Sequence, residues 1–158
     1  MQLKCFFLIV VFVNLTANAY SPQERSCLQE SAESFSIDAC LLQAVLDQEG
    51  GTPGVLTVHK NGSVDIGRGQ INKGGAWARK LATLGISEEV LQHNPCVNIL
   101  ATAFILREER DLVRGNVALG IGNYHRGYSP VVTPLRAKYF LSVSKRYRKL
   151  INDGQCPT

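Results

Sequence analysis

The chain has 158 residues and a formal net charge of +4, and 45% of its residues are hydrophobic while 19% are charged. This length predicts a single domain with a substantial core and is too short for two domains of ordinary size. The mild basicity suits an anionic polymer, whether cell wall, phospholipid or nucleic acid, but it selects none of them. The basic residues that concentrate after position 135 are expected to form a solvated helix face.

Residues 1–19 have the pattern of a secretory signal peptide, with a lone Lys4, an apolar run and a small-residue cleavage site at 17–19. The apolar run is too short for a good transmembrane span, and no later segment has one. We therefore expect residues 20–158 to form the mature domain, exported to the periplasm without a transmembrane anchor.

Two helices are predicted at the start of this domain. Pro22 to Ser34 has the composition of a helix, with Ser21 as its N-cap. A second helix opens at Ser36 or Asp38 and continues to Glu49, where a glycine-rich loop follows.

Glu49 lies on the same helical face as the apolar stripe of residues 41–46. Gly50 and Gly51 end the helix, and Pro53 prevents its continuation. Desolvation and the negative end of the helix dipole both favour the neutral carboxyl, so the pKa of Glu49 is expected to be raised. A general acid that works near neutral pH requires such a shift. The alternative is a partly exposed terminal glutamate without a function.

A small two-stranded ribbon is predicted after the glycine loop. Residues 55–58 and 64–66 flank Asn61-Gly62, which is the strongest short signal for a β-hairpin. Asp65 in the return strand is expected to bond loop amides. A calcium loop starting at Asn61 is rejected, because Asn72 stands where the closing glutamate would be.

The rest of the chain predicts helices. They span 76–84, 87–92, 95–112 and 116–124, and a last one begins at Pro134. The third of these looks like the central buried helix, and its polar pair Asn98 and Thr102 faces either a neighbouring helix or a cleft. The core stripe of the last helix is predicted to be Leu135, Tyr139, Val143, Tyr147 and Leu150.

Four cysteines remain after the leader, an even number that predicts two disulfides in an oxidising compartment. Of three possible connectivities we favour Cys40 with Cys96 and Cys27 with Cys156. A zinc site that uses His93 and Cys96 is the rival, but no partner pair with metal spacing exists. We expect no metal and no cofactor.

Four segments follow one another along the chain: C-L-L-Q-A-V-L-D-Q-E, N-G-S-V-D-I-G-R-G-Q-I-N, N-P-C-V-N-I-L-A-T-A-F-I-L and N-Y-H-R-G. In this order and spacing the chain resembles the lysozyme-like lytic transglycosylases (SLT domain family). It is most similar to the small ones that serve type IV secretion, conjugation, pilus and type III secretion machines. The resemblance covers nearly the whole mature chain and implies a mostly α, lysozyme-like α+β fold with two disulfides and a cleft beside the hairpin.

The resemblance also implies an activity and its residues. Glu49 would be the single catalytic acid that cleaves the bond between N-acetylmuramic acid and N-acetylglucosamine in peptidoglycan. Gln70, Asn98 and Tyr124 would line the glycan groove, as the matching residues do in the family. The implied partners are glycan strands and components of an envelope-spanning machine, with no nucleic acid.

The chain departs from the family pattern at three places. Gly50 stands where serine usually follows the catalytic glutamate, G-R-G-Q replaces G-L-M-Q, and His125 replaces an asparagine. These departures affect substrate contacts more than the acid itself. We expect Arg68 and His125 at the substrate, with Arg68 meeting either a peptide-stem carboxylate or only solvent.

Three functional alternatives follow from these residues. A lytic transglycosylase needs only Glu49 and gives an anhydromuramic end. A hydrolytic lysozyme would use Asp65 as a second carboxylate. A non-catalytic glycan-binding scaffold would keep the groove without the reaction. Tyr124 would orient Glu49, stack on a sugar or serve as a core aromatic.

Overall fold

The computed structural model describes residues 20–157, so the predicted signal peptide at 1–19 lies outside the described residues. The described part is mostly helical with one small antiparallel sheet, which confirms the predicted α+β class. Its elements are α1 Pro22–Ser34, α2 Ala39–Glu49, β1 Leu56–Val58, β2 Val64–Ile66, β3 Ile71–Asn72, α3 Ala76–Thr83, α4 Glu88–His93, α5 Pro95–Leu112, α6 Val117–Arg126 and α7 Pro134–Asn152.

The helix ends follow local capping chemistry. Ser21 caps α1 in a capping box with Glu24, whose carboxylate accepts from the Ser21 amide at 2.9 Å. Of the two candidates for the N-cap of α2, the structure selects Asp38, which accepts from the Leu41 amide at 2.8 Å. Gly50 ends α2 with a φ of +67°, in the left-handed region that glycine enters without strain.

The main core lies where α2 packs against α7 and where α1 and α6 pack against α5. Leu42, Val45 and Leu46 of α2 are fully buried there, as predicted for its apolar stripe. Leu135 is 54% exposed, so its predicted place in the core is wrong. The reason is that Arg136 takes the inward position in the first turn of α7, where its Nε donates to Asn123 Oδ1 at 3.0 Å. Within residues 20–157 no helix is long and apolar enough to cross a membrane.

The sheet has three strands instead of the predicted two. β1 pairs antiparallel with β2, and β2 pairs with the two-residue β3, in the order β1-β2-β3. Gly67 and Gln70, both with positive φ, turn the chain so sharply that β3 returns beside β2. A strand of two residues is too short to show an alternating pattern, which is why the sequence did not predict it.

The favoured disulfide pairing is wrong. Cys27 bonds Cys96, which ties α1 to the start of α5, and Cys40 bonds Cys156, which ties the start of α2 to the segment after α7. Both bonds follow the packing, because α1 lies against α5 and α2 lies along α7. Sequence alone could not distinguish the connectivities, since all of them join helices of one small domain.

We expect that replacing Cys40 and Cys156 together by alanine lowers the free energy of unfolding by about 4 to 5 kcal/mol. The bond closes a loop with a sequence separation of 116 residues, and loop-closure entropy sets this magnitude. Denaturant unfolding without reductant measures the change. A loss below about 1 kcal/mol would contradict a structural role for this bond.

Candidate functional site

A groove of about 1130 Å³ runs between the sheet and the helices. It brings together four of the six predicted catalytic and substrate-binding residues: Glu49, Gln70, Tyr124 and His125. Asp65, the alternative second carboxylate, lines the same groove. The remaining wall comes from the hairpin tip, β3, α3, α5 and the end of α6 with the loop after it.

Glu49 is the last residue of α2 and faces this groove. The pKa of Glu49 is raised to about 7. Burial is the largest cause of the rise, the hydrogen bond from Tyr139 lowers the pKa, and the nearby negative charge of Asp65 raises it. The expected rise therefore has desolvation as its main cause. A carboxyl with this pKa is available both to give and to take a proton near neutral pH.

Tyr139 is a site residue that sequence reasoning assigned only to the core. Its hydroxyl donates to Glu49 Oε1 across the packing of α7 on α2. The His125 ring stacks on one face of the Tyr139 ring, with centroids 4.4 Å apart and planes 4° from parallel. Burial and the neighbouring Arg126 lower the pKa of His125. The helical spacing of Tyr139 predicted burial, but it could not predict that the hydroxyl reaches Glu49.

Residues 67–70 form a backbone turn beside the groove, and Gln70 is the residue of this turn that lines it. Gln70, at a φ of +49°, donates its side-chain amide to Gly67 O at 2.8 Å and lines the groove. Gly51 must be a glycine here, because a Cβ would lie 1.9 Å from Gly67 O. The loop after α2 therefore packs directly on this backbone turn.

Tyr124 holds the same turn from the helical side. Its hydroxyl donates to Gly69 O at 2.5 Å and lies 3.5 Å from Thr102 Oγ1. Burial and the charge of Glu49 raise the pKa of Tyr124, so the hydroxyl stays protonated. Gly69, where the resembled family has methionine, fits this packing, since a Cβ there would lie 1.9 Å from Thr102 Oγ1.

Asn98 is buried below the turn, with 1% of its surface exposed, and the structure gives it a scaffold role instead of a place in the groove. Its Oδ1 accepts from the Gly69 amide at 2.8 Å. Its Nδ2 donates to Ile66 O and Leu91 O, each at 3.0 Å. Every polar atom of the side chain is thus used to fix backbone, which explains why a central apolar helix carries an asparagine.

Arg68 is neither a solvated loop charge nor a side chain that reaches into the groove, because only 5% of it is exposed. Its Nε donates to Glu24 Oε1 at 2.8 Å, and its guanidinium lies 4.2 Å from the Tyr20 ring centroid. The hydrogen bonds from Arg68 and Ser21 outweigh burial and hold the pKa of Glu24 below its usual value. The ion pair joins α1 to the groove turn.

The Tyr20 hydroxyl extends this contact to α2, since it donates to Asp47 Oδ1 at 3.0 Å. Asp47 lies two residues before Glu49. The sequence did not predict the contacts of Arg68 with Glu24 and Tyr20. Glu24 and Arg68 are 44 residues apart, and each alone resembles an ordinary surface charge.

Asp65 lies in the groove wall with 20% of its side chain exposed. Its Oδ2 is 2.6 Å from His59 Nε2, and its Oδ1 accepts from Asn72 Nδ2 at 2.9 Å. The predicted bonds to loop amides are therefore replaced by bonds to two side chains, those of His59 after β1 and Asn72 in β3. This pairing holds the carboxylate in a fixed position on the wall.

Cys96 belongs to a disulfide, so the rival zinc site with His93 is excluded. Among residues 20–157 no three His, Cys, Asp or Glu side chains are grouped so that they could hold a metal ion.

Two comparisons place the chain among known proteins. It is 31% identical to invasion protein IagB of Salmonella typhimurium over 146 residues, which cover 92% of this chain and 87% of that protein. It is 31% identical to protein IpgF of Shigella flexneri over 130 residues, which cover 82% of this chain and 84% of that protein. No family model matches the chain.

We expect that Arg68→Met lowers the free energy of unfolding by about 3 to 5 kcal/mol, because it leaves the buried carboxylate of Glu24 without its cation. The double change with Glu24→Gln should recover much of the loss, since the uncompensated charge is removed. Lys149→Met is the matched control, because its pair with Asp153 is exposed and should change stability by less than about 1 kcal/mol. Denaturant unfolding of the wild type and the three variants measures these values. Equal losses for the single Arg68→Met variant and the double variant would contradict the account.

The raised pKa of Glu49 predicts the direction in which the free energy of unfolding changes with pH. Because the folded-state pKa is raised from 4.5 to about 7, the folded protein binds this proton more tightly than the unfolded chain. Stability from this group is therefore fully present below pH 4.5 and is lost as the pH rises through 7. Glu49→Gln should raise the free energy of unfolding by about 2 to 3 kcal/mol at about pH 8 and hardly at about pH 4. A gain of the same size at both pH values would show that the carboxyl is not held neutral by burial.

Proposed function

This chain belongs to the family of invasion protein IagB and protein IpgF, and from that premise we propose that it is a peptidoglycan lytic transglycosylase. Its substrate would be the β-1,4 bond between N-acetylmuramic acid and N-acetylglucosamine. The four motif segments support this assignment, because they include Glu49, Gln70 and Tyr124, which line the groove.

The observation that carries the proposal is the state of Glu49. It is the one carboxyl at the groove whose pKa is raised to about 7, and it has a hydroxyl donor, Tyr139, on one oxygen. The proton on Glu49 can then be given to a glycosidic oxygen at neutral pH. The hydrogen bond from Tyr139 stabilises the carboxylate that remains, so the same residue can act next as a base.

In the proposed transglycosylase reaction Glu49 acts first as an acid and then as a base. Glu49 protonates the glycosidic oxygen, the bond from that oxygen to C1 breaks, and the carbonyl oxygen of the substrate's own acetamido group bonds to C1. The Glu49 carboxylate next removes the proton from the C6 hydroxyl of the muramic acid. O6 attacks C1 and displaces the acetamido oxygen, which leaves a 1,6-anhydromuramic end and Glu49 protonated again. No water enters the product.

The biological role that we propose is local opening of the cell wall for an envelope-spanning secretion, conjugation or pilus apparatus. The Salmonella relative is named an invasion protein, and the resemblance to transglycosylases of secretion, conjugation and pilus machines supports this role. The two disulfides support an oxidising compartment, and the leader-like sequence at 1–19 supports export to the periplasm. Components of such a machine would be the protein partners.

A hydrolytic muramidase is the second candidate, and Asp65 is the observation that favours it. Asp65 lines the groove, and its charge is close enough to raise the pKa of Glu49. If Asp65 stabilises the positive centre while water attacks, the product gains one water. Asp65→Asn would then abolish cleavage, whereas a transglycosylase that relies on the acetamido group would retain most of it.

We expect Glu49→Gln to abolish clearing in a peptidoglycan zymogram, because the amide cannot protonate the leaving oxygen. Glu89→Gln is the matched control, since Glu89 is exposed in the first turn of α4 and should leave clearing unchanged. Mass spectrometry of the wild-type digest should show anhydromuramic ends. Products heavier by one water would support the muramidase instead.

A non-catalytic glycan-binding scaffold is the third reading. It predicts that wild-type protein sediments with purified cell wall but releases no fragments, and that Glu49→Gln leaves this binding unchanged. Unchanged clearing by the Glu49→Gln variant would contradict both enzyme assignments.

A further inference from the structure

The groove contains a second buried carboxyl that the proposed reaction does not use. Glu109 of α5 lines the groove, and only 1% of it is exposed. Its Oε1 accepts from Trp77 Nε1 at 3.0 Å. Its Oε2 is buried and has no hydrogen-bond partner within residues 20–157. A buried polar atom without a partner costs free energy, so its place in a ligand groove requires an explanation.

Glu109 lies away from the catalytic end of the groove. It follows Thr102 by seven residues, which is two helical turns or about 10 Å along α5. Thr102 marks the catalytic end, because its hydroxyl is 3.5 Å from that of Tyr124, whose pKa is raised partly by the charge of Glu49. A glycan that reaches Glu109 must therefore extend beyond the sugars bound at Glu49.

The surroundings of Glu109 resemble a binding site for one sugar ring. Trp77 is half-buried in the groove wall, and its indole meets the Phe104 ring edge-on, with centroids 6.0 Å apart at 87°. This contact fixes the indole in place. The other lining side chains near Trp77 and Glu109 along the chain are apolar, Ile105 and Leu112. Apolar walls with one polar group at the floor are typical of small-ligand sites.

The charge state of Glu109 is balanced between two influences. Burial raises its pKa, while the hydrogen bonds from Trp77 and Asn123 and the charges of Arg136 and Lys80 lower the pKa in smaller measure. The net shift is upward. Neither cation is bonded to the free oxygen, since Lys80 pairs with Glu108 and Arg136 donates to Asn123. The partner of Oε2 must therefore suit either protonation state.

We propose that Glu109 and Trp77 form a distal subsite that holds the acetamido group of an N-acetylhexosamine in the bound glycan. An acetamido group offers an N–H to a carboxylate and a carbonyl to a carboxylic acid, so it satisfies Oε2 in both states. Its methyl group can pack on the indole of Trp77. The inference rests on the proposed function, because the ligand is a further sugar of the same strand.

Trp77 is the only tryptophan of the chain, so its fluorescence reports on this subsite alone. The experiment titrates the Glu49→Gln variant with β-1,4-linked N-acetylglucosamine oligomers from the dimer to the hexamer, followed by indole emission and calorimetry. We expect the hexamer to shift the emission and to bind about tenfold more tightly than oligomers too short to reach Glu109. Cellohexaose, which has the same linkage but a hydroxyl in place of each acetamido group, should not shift the emission.

Variants at position 109 test the carboxyl itself in the Glu49→Gln background. Glu109→Leu should remove the roughly tenfold gain of the hexamer and leave the short oligomers unchanged. Glu109→Gln should retain most of the gain, because the amide keeps an acceptor for Trp77 and donates to the acetamido carbonyl. Glu89→Gln is the matched control, since Glu89 is an exposed carboxyl of α4 that does not line the groove.

Each outcome decides the question. Hexamer binding that does not depend on the acetamido group, or a Glu109→Leu variant that loses the short and long oligomers equally, would overturn the subsite alone. If Glu109→Leu prevents folding, the emission of Trp77 with the two hexamers still supports or overturns the proposal. Failure of the Glu49→Gln variant to bind any oligomer, together with a wild-type protein that releases nothing from peptidoglycan, would overturn the proposed function as well.

Discussion

The hydrogen bond from Tyr139 to Glu49 joins the end of α2 to α7, and the candidate site depends on it. Burial of Glu49 by the apolar packing of the two helices favours the neutral carboxyl, whereas the donor favours the carboxylate. The two effects oppose each other and leave a pKa of about 7. A residue that must first give a proton and then take one needs such a balance, because either effect alone would fix it in one state.

A backbone turn beside the groove, residues 67–70, is held by side chains of α5 and α6. Asn98 uses all its polar atoms to fix backbone here, and the Tyr124 hydroxyl bonds Gly69 O. The G-R-G-Q sequence fits this arrangement as a unit. Gly69 leaves room for Thr102, and Arg68 turns inward to Glu24 instead of outward to substrate. Both residues, which depart from the pattern of the resembled family, therefore make contacts within the scaffold.

The sequence predicted the helices well because their signals are local. The cap of α1, the apolar stripe of α2 and the glycine stop after Glu49 all depend on residues within a few positions of one another. It failed where the partner is distant. The disulfide pairing, the Glu24–Arg68 ion pair and the Tyr139 hydroxyl bond join residues 44 to 116 positions apart, and helical periodicity predicts only that such residues face inward. Which inward-facing residues meet is decided by the packing of whole helices.

The central claim, that burial keeps Glu49 protonated near neutral pH, is tested most directly by observing that carboxyl. A ¹³C NMR titration of the side-chain carboxyl carbons, with the Glu49 signal assigned by its loss in the Glu49→Gln variant, gives its pKa in the folded state. The account predicts a midpoint near 7, well above that of the exposed glutamates. A midpoint below about 5 would contradict it, because Glu49 would then be ionised at neutral pH and could not serve as the acid.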